Sequence, residues 1–310
     1  MNVIFMGTPD FAVGTLKSLI NSAHQVKAVV TQPDKPKGRG KAMQATPVKE
    51  VAKEAGIPVL QPKRVREREV IEKLEKIEAD VIVVVAFGQI IPKEILTMKR
   101  YGCINVHASL LPKYRGAAPI QWAIINGEEK TGVTIMQMDA GVDTGDMLFK
   151  SEVAIAPEDT YASLQDKLAR AGADLIVPAL AAVEKGEVKP EHQNASDSSY
   201  VGMIDKSMGQ IDFARPAAET ARLIRGLNPW PSAYTSYKGK KLKIWEVSPC
   251  EEQAEGAPGM VKKLDKEAIY INTGEGVLKV TQLQLEGKKR MQVKDFLLGC
   301  RMEKGEMLGC

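Results

Sequence analysis

Residues 81–85 read Val81-Ile82-Val83-Val84-Val85, five apolar and mostly β-branched positions with no polar alternation. A strand with one wet face alternates in polarity, so an unbroken run belongs at the centre of a parallel sheet covered on both faces. The flanking sequence supplies the rest of such a sheet. Val3-Ile4-Phe5-Met6 ends at Gly7, is punctuated by Thr8-Pro9-Asp10, and passes into Phe11, Leu16, Leu19 and Ile20 at helical spacing. Residues 26–30 form a second valine-rich run, residues 50–55 a helix closed by Gly56, residues 57–60 a short strand and residues 67–77 a charged amphipathic helix. Cys103-Ile104-Asn105-Val106-His107 is a strand with two polar residues where core is expected, and residues 132–138 are the next. Strand and helix in alternation predict an α/β fold, a Rossmann-like doubly wound and mostly parallel sheet.

A helix is expected over residues 161–185, followed by a polar stretch with the cluster Asn194-Ala195-Ser196-Asp197-Ser198-Ser199. Beyond one more helix at 217–227 the texture changes. Short strands come at close spacing, separated by Lys238-Gly239, Ala257-Pro258-Gly259, Asn272-Thr273-Gly274 and Glu286-Gly287. That spacing predicts a small antiparallel barrel or sandwich. The expected organisation is a first domain at 1–188, a linker at 189–205 and a second domain at 206–310.

With 310 residues the chain has room for two cores. No apolar run approaches the ~20 residues of a membrane span, and the opening Met1-Asn2-Val3-Ile4-Phe5-Met6-Gly7 has no basic segment or cleavage site of a signal peptide. The four cysteines (103, 250, 300, 310) are scattered, which favours reduced thiols and a cytoplasmic protein. The three histidines (24, 107, 192) make no HxxxH pair, so no metal site is expected. Residues 206–310 carry 18 Lys/Arg against 13 Asp/Glu, and residues 1–205 carry 25 against 26. All the positive excess lies in the last third, a distribution that suits a polyanionic partner such as nucleic acid and also falls within ordinary scatter.

Gly7-Thr8-Pro9-Asp10-Phe11-Ala12 stands where a dinucleotide fingerprint would, but has one glycine instead of three and a proline that removes a donor. Residues 32–47 form a long loop carrying Lys35, Lys37, Arg39 and Lys41 against Asp34, either a solvated tip or an arm that meets phosphates. The most informative run spans 102–119. Asn105 and His107 are two apart on a strand and share a face, and the strand breaks at Ser109-Leu110-Leu111-Pro112. Ligands of open parallel sheets sit beyond the strands' carboxyl ends, where an amide and an imidazole could hold a developing oxyanion. Both could equally be satisfied by backbone in an irregular strand end. The Gly-rich stretch 139–146 offers Asp139, Asp143 and Asp146, to orient a histidine or simply to form turns.

Asn-x-His-x-Ser-Leu-Leu-Pro, followed by Gly132-Val133-Thr134-Ile135 and Asp143-Thr144-Gly145-Asp146, resembles the folate-dependent formyltransferases. Ile4-Phe5-Met6-Gly7-Thr8-Pro9, the 31–41 loop, Ala118-Pro119-Ile120-Gln121 and Leu227-Asn228-Pro229-Trp230-Pro231 are similar to the branch whose acceptor is methionyl initiator tRNA, and the likeness covers essentially the whole chain. The resemblance implies Asn105, His107 and Asp143 as catalytic residues. It implies folate contacts at Phe87, Gly88, Gln89, Ile90, Ile91, Ser109, Leu110, Leu111, Pro112 and Asp139. It implies Phe11 at the methionyl side chain, Lys35, Lys37, Arg39 and Lys41 at the acceptor stem, and an OB-like C-terminal barrel that contacts tRNA. It further implies 10-formyltetrahydrofolate as co-substrate, no metal, no membrane partner and a monomer. In the implied reaction Asn105 and protonated His107 donate to the oxyanion while Asp143 holds His107 charged. Cys103 shares their face and reads as packing, since no base partner is evident. Two rivals remain open: formyl transfer to another amine, such as glycinamide ribotide or an amino sugar, and a non-catalytic tRNA-binding protein. The basic loop paired with the barrel weighs against the first, and the intact Asn, His and Asp set against the second.

Overall fold

The computed structural model describes residues 1–37 and 42–309. In chain order the elements are β1 (Asn2–Gly7), α1 (Asp10–Ile20), β2 (Gln25–Val30), β3 (Lys35–Lys37), β4 (Ala42–Gln44), α2 (Pro47–Glu54), β5 (Val59–Leu60), α3 (Arg68–Glu75), β6 (Val81–Val85), α4 (Lys93–Leu96), β7 (Cys103–His107), β8 (Arg115–Gly116) and α5 (Pro119–Ile125). They continue with β9 (Lys130–Gln137), β10 (Met147–Ala154), α6 (Tyr161–Lys185), β11 (Tyr200–Val201), α7 (Ala217–Gly226), β12 (Ala233–Tyr237), β13 (Lys240–Cys250), β14 (Val261–Leu264), β15 (Ile269–Asn272), β16 (Val277–Leu285), β17 (Met291–Gln292) and α8 (Val293–Gly299). Contacts group them into two compact units. One holds Met1–Pro119, Lys130–Ala154 and Gln165–Val201; the other holds Ile120–Glu129, Ile155–Leu164 and Gly202–Cys310.

The first unit is built on a seven-stranded sheet in the order β10-β9-β7-β6-β1-β2-β5. All five residues of β6 are buried, as a strand covered on both faces requires. It pairs in parallel with β1 on one side and β7 on the other, with Val84 opposite both Met6 and Asn105. The carboxyl ends of β1, β6 and β7 therefore lie along one edge. α1 buries Phe11, Ala12, Leu16 and Leu19 beneath it. At Gly172 of α6 a Cβ would come 2.8 Å from Val106, so that helix approaches β7 closely only because the position is glycine.

The mostly parallel sheet agrees with the sequence reading, with one difference. Of residues 132–138, expected as the next strand of the parallel series, 132–137 lie in β9, which runs antiparallel to β7 and is followed by an antiparallel edge strand, β10. In β10 only Met147 is fully buried; from Phe149 onward half-buried positions alternate with exposed ones, Lys150 and Glu152 among them. An edge strand with charges hides from a search for apolar runs. The 32–47 segment, expected as a loop, contains the β3–β4 hairpin, which brackets the undescribed residues 38–41. Within 189–205, where a linker was expected, a 3₁₀ turn at Ala195–Asp197 is followed by β11, which pairs in parallel with β8.

The second unit holds the antiparallel sheet β12-β13-β16-β15-β14, with β17 also on β16. α7 buries Ala217, Thr220, Ala221 and Ile224 at helical spacing. Ile224 joins Leu242, Ile244, Leu278, Val280, Leu283 and Phe296 in one core. Residues 305–309 run between the two outermost strands. Gly305 N–H donates to Val261 O, Val261 N–H to Glu306 O and Leu308 N–H to Gly259 O, while Gly309 N–H donates to Ser236 O of β12. The Glu306 carboxylate accepts from the Tyr237 hydroxyl at 2.7 Å and meets Lys238 Nζ at 2.9 Å. Lys238, then Tyr237, hold the Glu306 carboxyl below its usual range. Among the described residues no helix is long and apolar enough to cross a membrane.

Candidate active site

Asn105 and His107 lie at the end of β7 and are almost fully buried, at 9 % and 6 % exposure. Their two-residue spacing sends both side chains to one face. His107 Nε2 lies 3.0 Å from the carbonyl oxygen of Tyr114, and Nδ1 lies 3.6 Å from Asp143 Oδ1. Both ring nitrogens therefore face oxygen acceptors. An Nε2 proton given to Tyr114 leaves Nδ1 and the carboxylate facing one another, a pair that can take up one further proton.

Asp143 reaches this position from an unexpected direction. Gln137 of β9 sits opposite Ile104 and Thr134 opposite His107, so β9 leaves the sheet at the far end of β7 from His107. The connection to β10 folds back to deliver the carboxylate. Its stem is tight: a Cβ at Gly145 would come 1.8 Å from the Gln137 carbonyl oxygen. Asp139 closes the loop's first turn, accepting from Gly141 N–H at 3.0 Å and the Thr144 hydroxyl at 2.7 Å. Asp143 adopts φ +53°, and its Oδ2 accepts from Gly116 N–H at 2.9 Å. Oδ1 is the oxygen left toward His107.

Ser109, Leu110, Leu111 and Pro112 follow His107 and are tied to β9 through Thr134. The Thr134 hydroxyl donates to Ser109 O at 2.7 Å and accepts from Leu111 N–H at 3.1 Å. Ser109 Oγ donates to Lys113 O at 2.7 Å, and the Leu111–Pro112 peptide is cis. Leu110 rests on Gly132, and Leu111 packs with Met136 and Met147.

After β6 the chain turns through Ala86 (φ +45°) and Gly88 (φ +80°). This directs the Phe87 carbonyl to the Thr8 hydroxyl at 3.0 Å and the Gln32 amide at 3.2 Å, and the Gln32 amide also donates to Gly88 O. The Phe87 side chain belongs to the core beside Ile4, Met6 and Val84. Gln89 turns inward, accepting from Val65 N–H at 2.6 Å and donating to Pro62 O. Ile91 is buried, whereas Ile90 is 92 % exposed.

Phe11 is buried at the start of α1. Lys35 is exposed on β3; Lys37 ends that strand, and Arg39 and Lys41 lie outside the described residues. Nearby Asp34 accepts from Lys49 and Gln61, both at 2.6 Å, and these bonds hold its carboxyl below the usual range. Cys103 is buried with Sγ 3.5 Å from Ile95 O, and burial pushes its thiol up to about 12, which suits packing and not nucleophilic chemistry. Among the described residues no group of His, Cys, Asp and Glu is arranged to hold a metal ion.

Several residues at the site went unread in the sequence: Tyr114 and Gly116, whose backbone groups engage His107 and Asp143, and Thr134, Arg115 and Gln193. Tyr114, Arg115 and Gly116 lie in the singled-out 102–119 run. Gln193 carries no local signal, since its contacts are to residues some fifty positions or more away.

Residues 1–180 match the family model described as formyl transferase, and residues 203–301 match the one described as formyl transferase, C-terminal domain. A relative from Agathobacter rectalis is 56 % identical and covers 98 % of both chains; one from Clostridioides difficile is 49 % identical and covers all of both. Each bears the name methionyl-tRNA formyltransferase. Among solved structures, the sugar 3N-formyl transferase WlaRD, crystallised with dTDP and 5-N-formyl-THF, matches with a TM-score of 0.70 over 93 % of this chain and 99 % of its own. At 20 % identity that likeness concerns the fold.

Proposed function

The chain belongs to the formyl transferase family, and from that premise we propose that Asn105, His107 and Asp143 carry out its chemistry with 10-formyltetrahydrofolate as the donor. It is an enzyme that transfers a formyl group to the α-amino group of methionyl-tRNA, giving the formylated aminoacyl-tRNA used to initiate translation. The observation that supports the site assignment is the meeting of His107 and Asp143 at 3.6 Å, on the face that Asn105 shares.

The neutral α-amino nitrogen, whose free pKa is about 7.7–8.0, attacks the formyl carbon and charge builds on the formyl oxygen. The Asn105 amide is the donor for that oxygen, and losing one such donor typically costs ~10²–10³ in rate. The amine must then shed a proton. The His107–Asp143 pair accepts it, with Tyr114 O fixing the ring through Nε2. His107 thus acts mainly as a relay, where the sequence alone suggested an oxyanion donor. Proton transfer to the departing folate nitrogen completes the exchange, and no metal is required by the balance.

The segments 87–91 and 109–112 are suited to wall the folate: both follow strands that end at the same sheet edge, and both have backbones pinned by hydrogen bonds. Phe11 is assigned to the methionyl side chain, Lys35, Lys37, Arg39 and Lys41 to the acceptor end, and the basic C-terminal unit to tRNA affinity.

The test is a formyl-transfer assay with charged initiator tRNA, uncharged tRNA and small amines, on the wild type and on Asn105→Ala, His107→Ala and Asp143→Ala. Each variant is expected to fold and to lose about 10²-fold or more in turnover. Near-normal turnover for His107→Ala would overturn the mechanism, and equal turnover on small amines would overturn the acceptor.

A further inference from the structure

Gln193 is 3 % exposed, and one amide makes three bonds. Its Oε1 accepts from Arg115 Nε at 2.9 Å, while its Nε2 donates to Asp143 O at 2.9 Å and to Gly145 O at 2.7 Å. A guanidinium has only donors, so the amide oxygen must face Arg115 and both N–H hydrogens must face the loop. The clamped carbonyls lie on and just after Asp143. That residue holds φ +53°, a left-handed conformation that aspartate tolerates better than most residues with a Cβ but that still costs energy, so surrounding bonds help to keep it.

Arg115 is itself 5 % exposed. Its Nη1 donates to the Tyr200 hydroxyl at 3.0 Å, the guanidinium lies 5.5 Å from that ring's centre, and its backbone N–H donates to Ser199 O at 2.8 Å. At Gly116 a Cβ would come 2.4 Å from Val201 O, so β8 and β11 can pair this closely only with glycine there. The 114–116 backbone in turn touches both members of the pair, Tyr114 O at His107 and Gly116 N–H at Asp143.

We propose that Gln193 and Arg115 are positioning residues for formyl transfer: the Gln193 amide, oriented by Arg115, holds the loop in the one conformation that aims Asp143 Oδ1 at His107. The proposal rests on the reading that Asp143 takes part in the proton transfer. Released from the clamp, Asp143 returns to a right-handed conformation and its carboxylate leaves the imidazole. Displacements of that kind cost about 10–100-fold in turnover, while substrate binding, which rests on residues outside this loop except at Asp139, changes little.

The decisive comparison uses Gln193→Ala, the near-isosteric Gln193→Glu, Asp143→Ala and the Asp143→Ala/Gln193→Ala double variant, with kcat, KM for both substrates and thermal unfolding measured on each. A glutamate still accepts from Arg115 but has no hydrogen for the two loop carbonyls. Both Gln193 variants are therefore expected to lose about 10–100-fold in kcat with KM within twofold, and Gln193→Ala is expected to cost nothing further once Asp143 is gone. Wild-type kcat in Gln193→Glu, or a full additional loss in the double variant, would overturn the proposal. Near-normal turnover in Asp143→Ala would overturn the reading of the site beneath it.

Discussion

Thr134 has no exposed surface, yet its hydroxyl serves two backbone groups of the segment that follows His107. Thr134→Val keeps the shape and removes the oxygen, leaving Ser109 O and Leu111 N–H buried without this partner. Each such group costs about 1–3 kcal/mol, so the urea midpoint is expected to fall. Because the disturbed backbone is the segment proposed to wall the folate, KM for the formyl donor is expected to rise while KM for the tRNA holds. A rise confined to the tRNA would contradict the assignment of residues 109–112. Asn105 and His107 could be read from the sequence because two polar residues at strand spacing interrupt an apolar run. Thr134 could not, because a threonine in a strand is ordinary and its role depends on which residues face it.

At the scale of elements, β6 was legible for a simple reason: burial on both faces leaves no polar position, and five consecutive apolar residues record that directly. The direction of β9 was not legible. Residues 131–136 are buried as those of a central strand are, and burial alone does not distinguish parallel from antiparallel pairing. That reversal makes the β9–β10 loop a lever with its hinge at Gly145, whose Cα hydrogen faces the Gln137 carbonyl. Gly145→Ala must push the stem apart, because the obstruction is backbone. Formyl transfer is expected to drop at least tenfold with little change in the far-ultraviolet circular dichroism. Full activity in Gly145→Ala would mean that the loop tolerates an open stem and that Asp143 is held from elsewhere.

For the whole molecule, the sequence showed where the charge excess lies but not which side chains present it. Lys240 and Lys241 are both exposed, and Lys241 Nζ lies 4.1 Å from the Tyr234 ring centre. Phosphate contacts release counterions, so tRNA affinity is expected to fall with salt on a log–log line whose slope grows by ~0.7–0.9 per contact. Lys240→Ala/Lys241→Ala is expected to flatten that line and raise KM for tRNA with kcat unchanged, and an unaltered slope would move the contact elsewhere. The strip formed by residues 305–309 has a different consequence. Strands at the margin of a sheet offer unpaired ladders that recruit other chains, and here that strip lines β14 and the residues just before it, and meets β12 through one bond, while Ile211 pairs with β12 at Tyr234. Shortening the chain after Met302 would leave β14 open to a second molecule and loosen the margin at β12. Such a variant is expected to self-associate in a concentration-dependent way that light scattering detects, whereas a monodisperse sample would show that the margins need no cover. On this view residues 305–309 guard against aggregation while remaining remote in sequence from every residue assigned to the reaction.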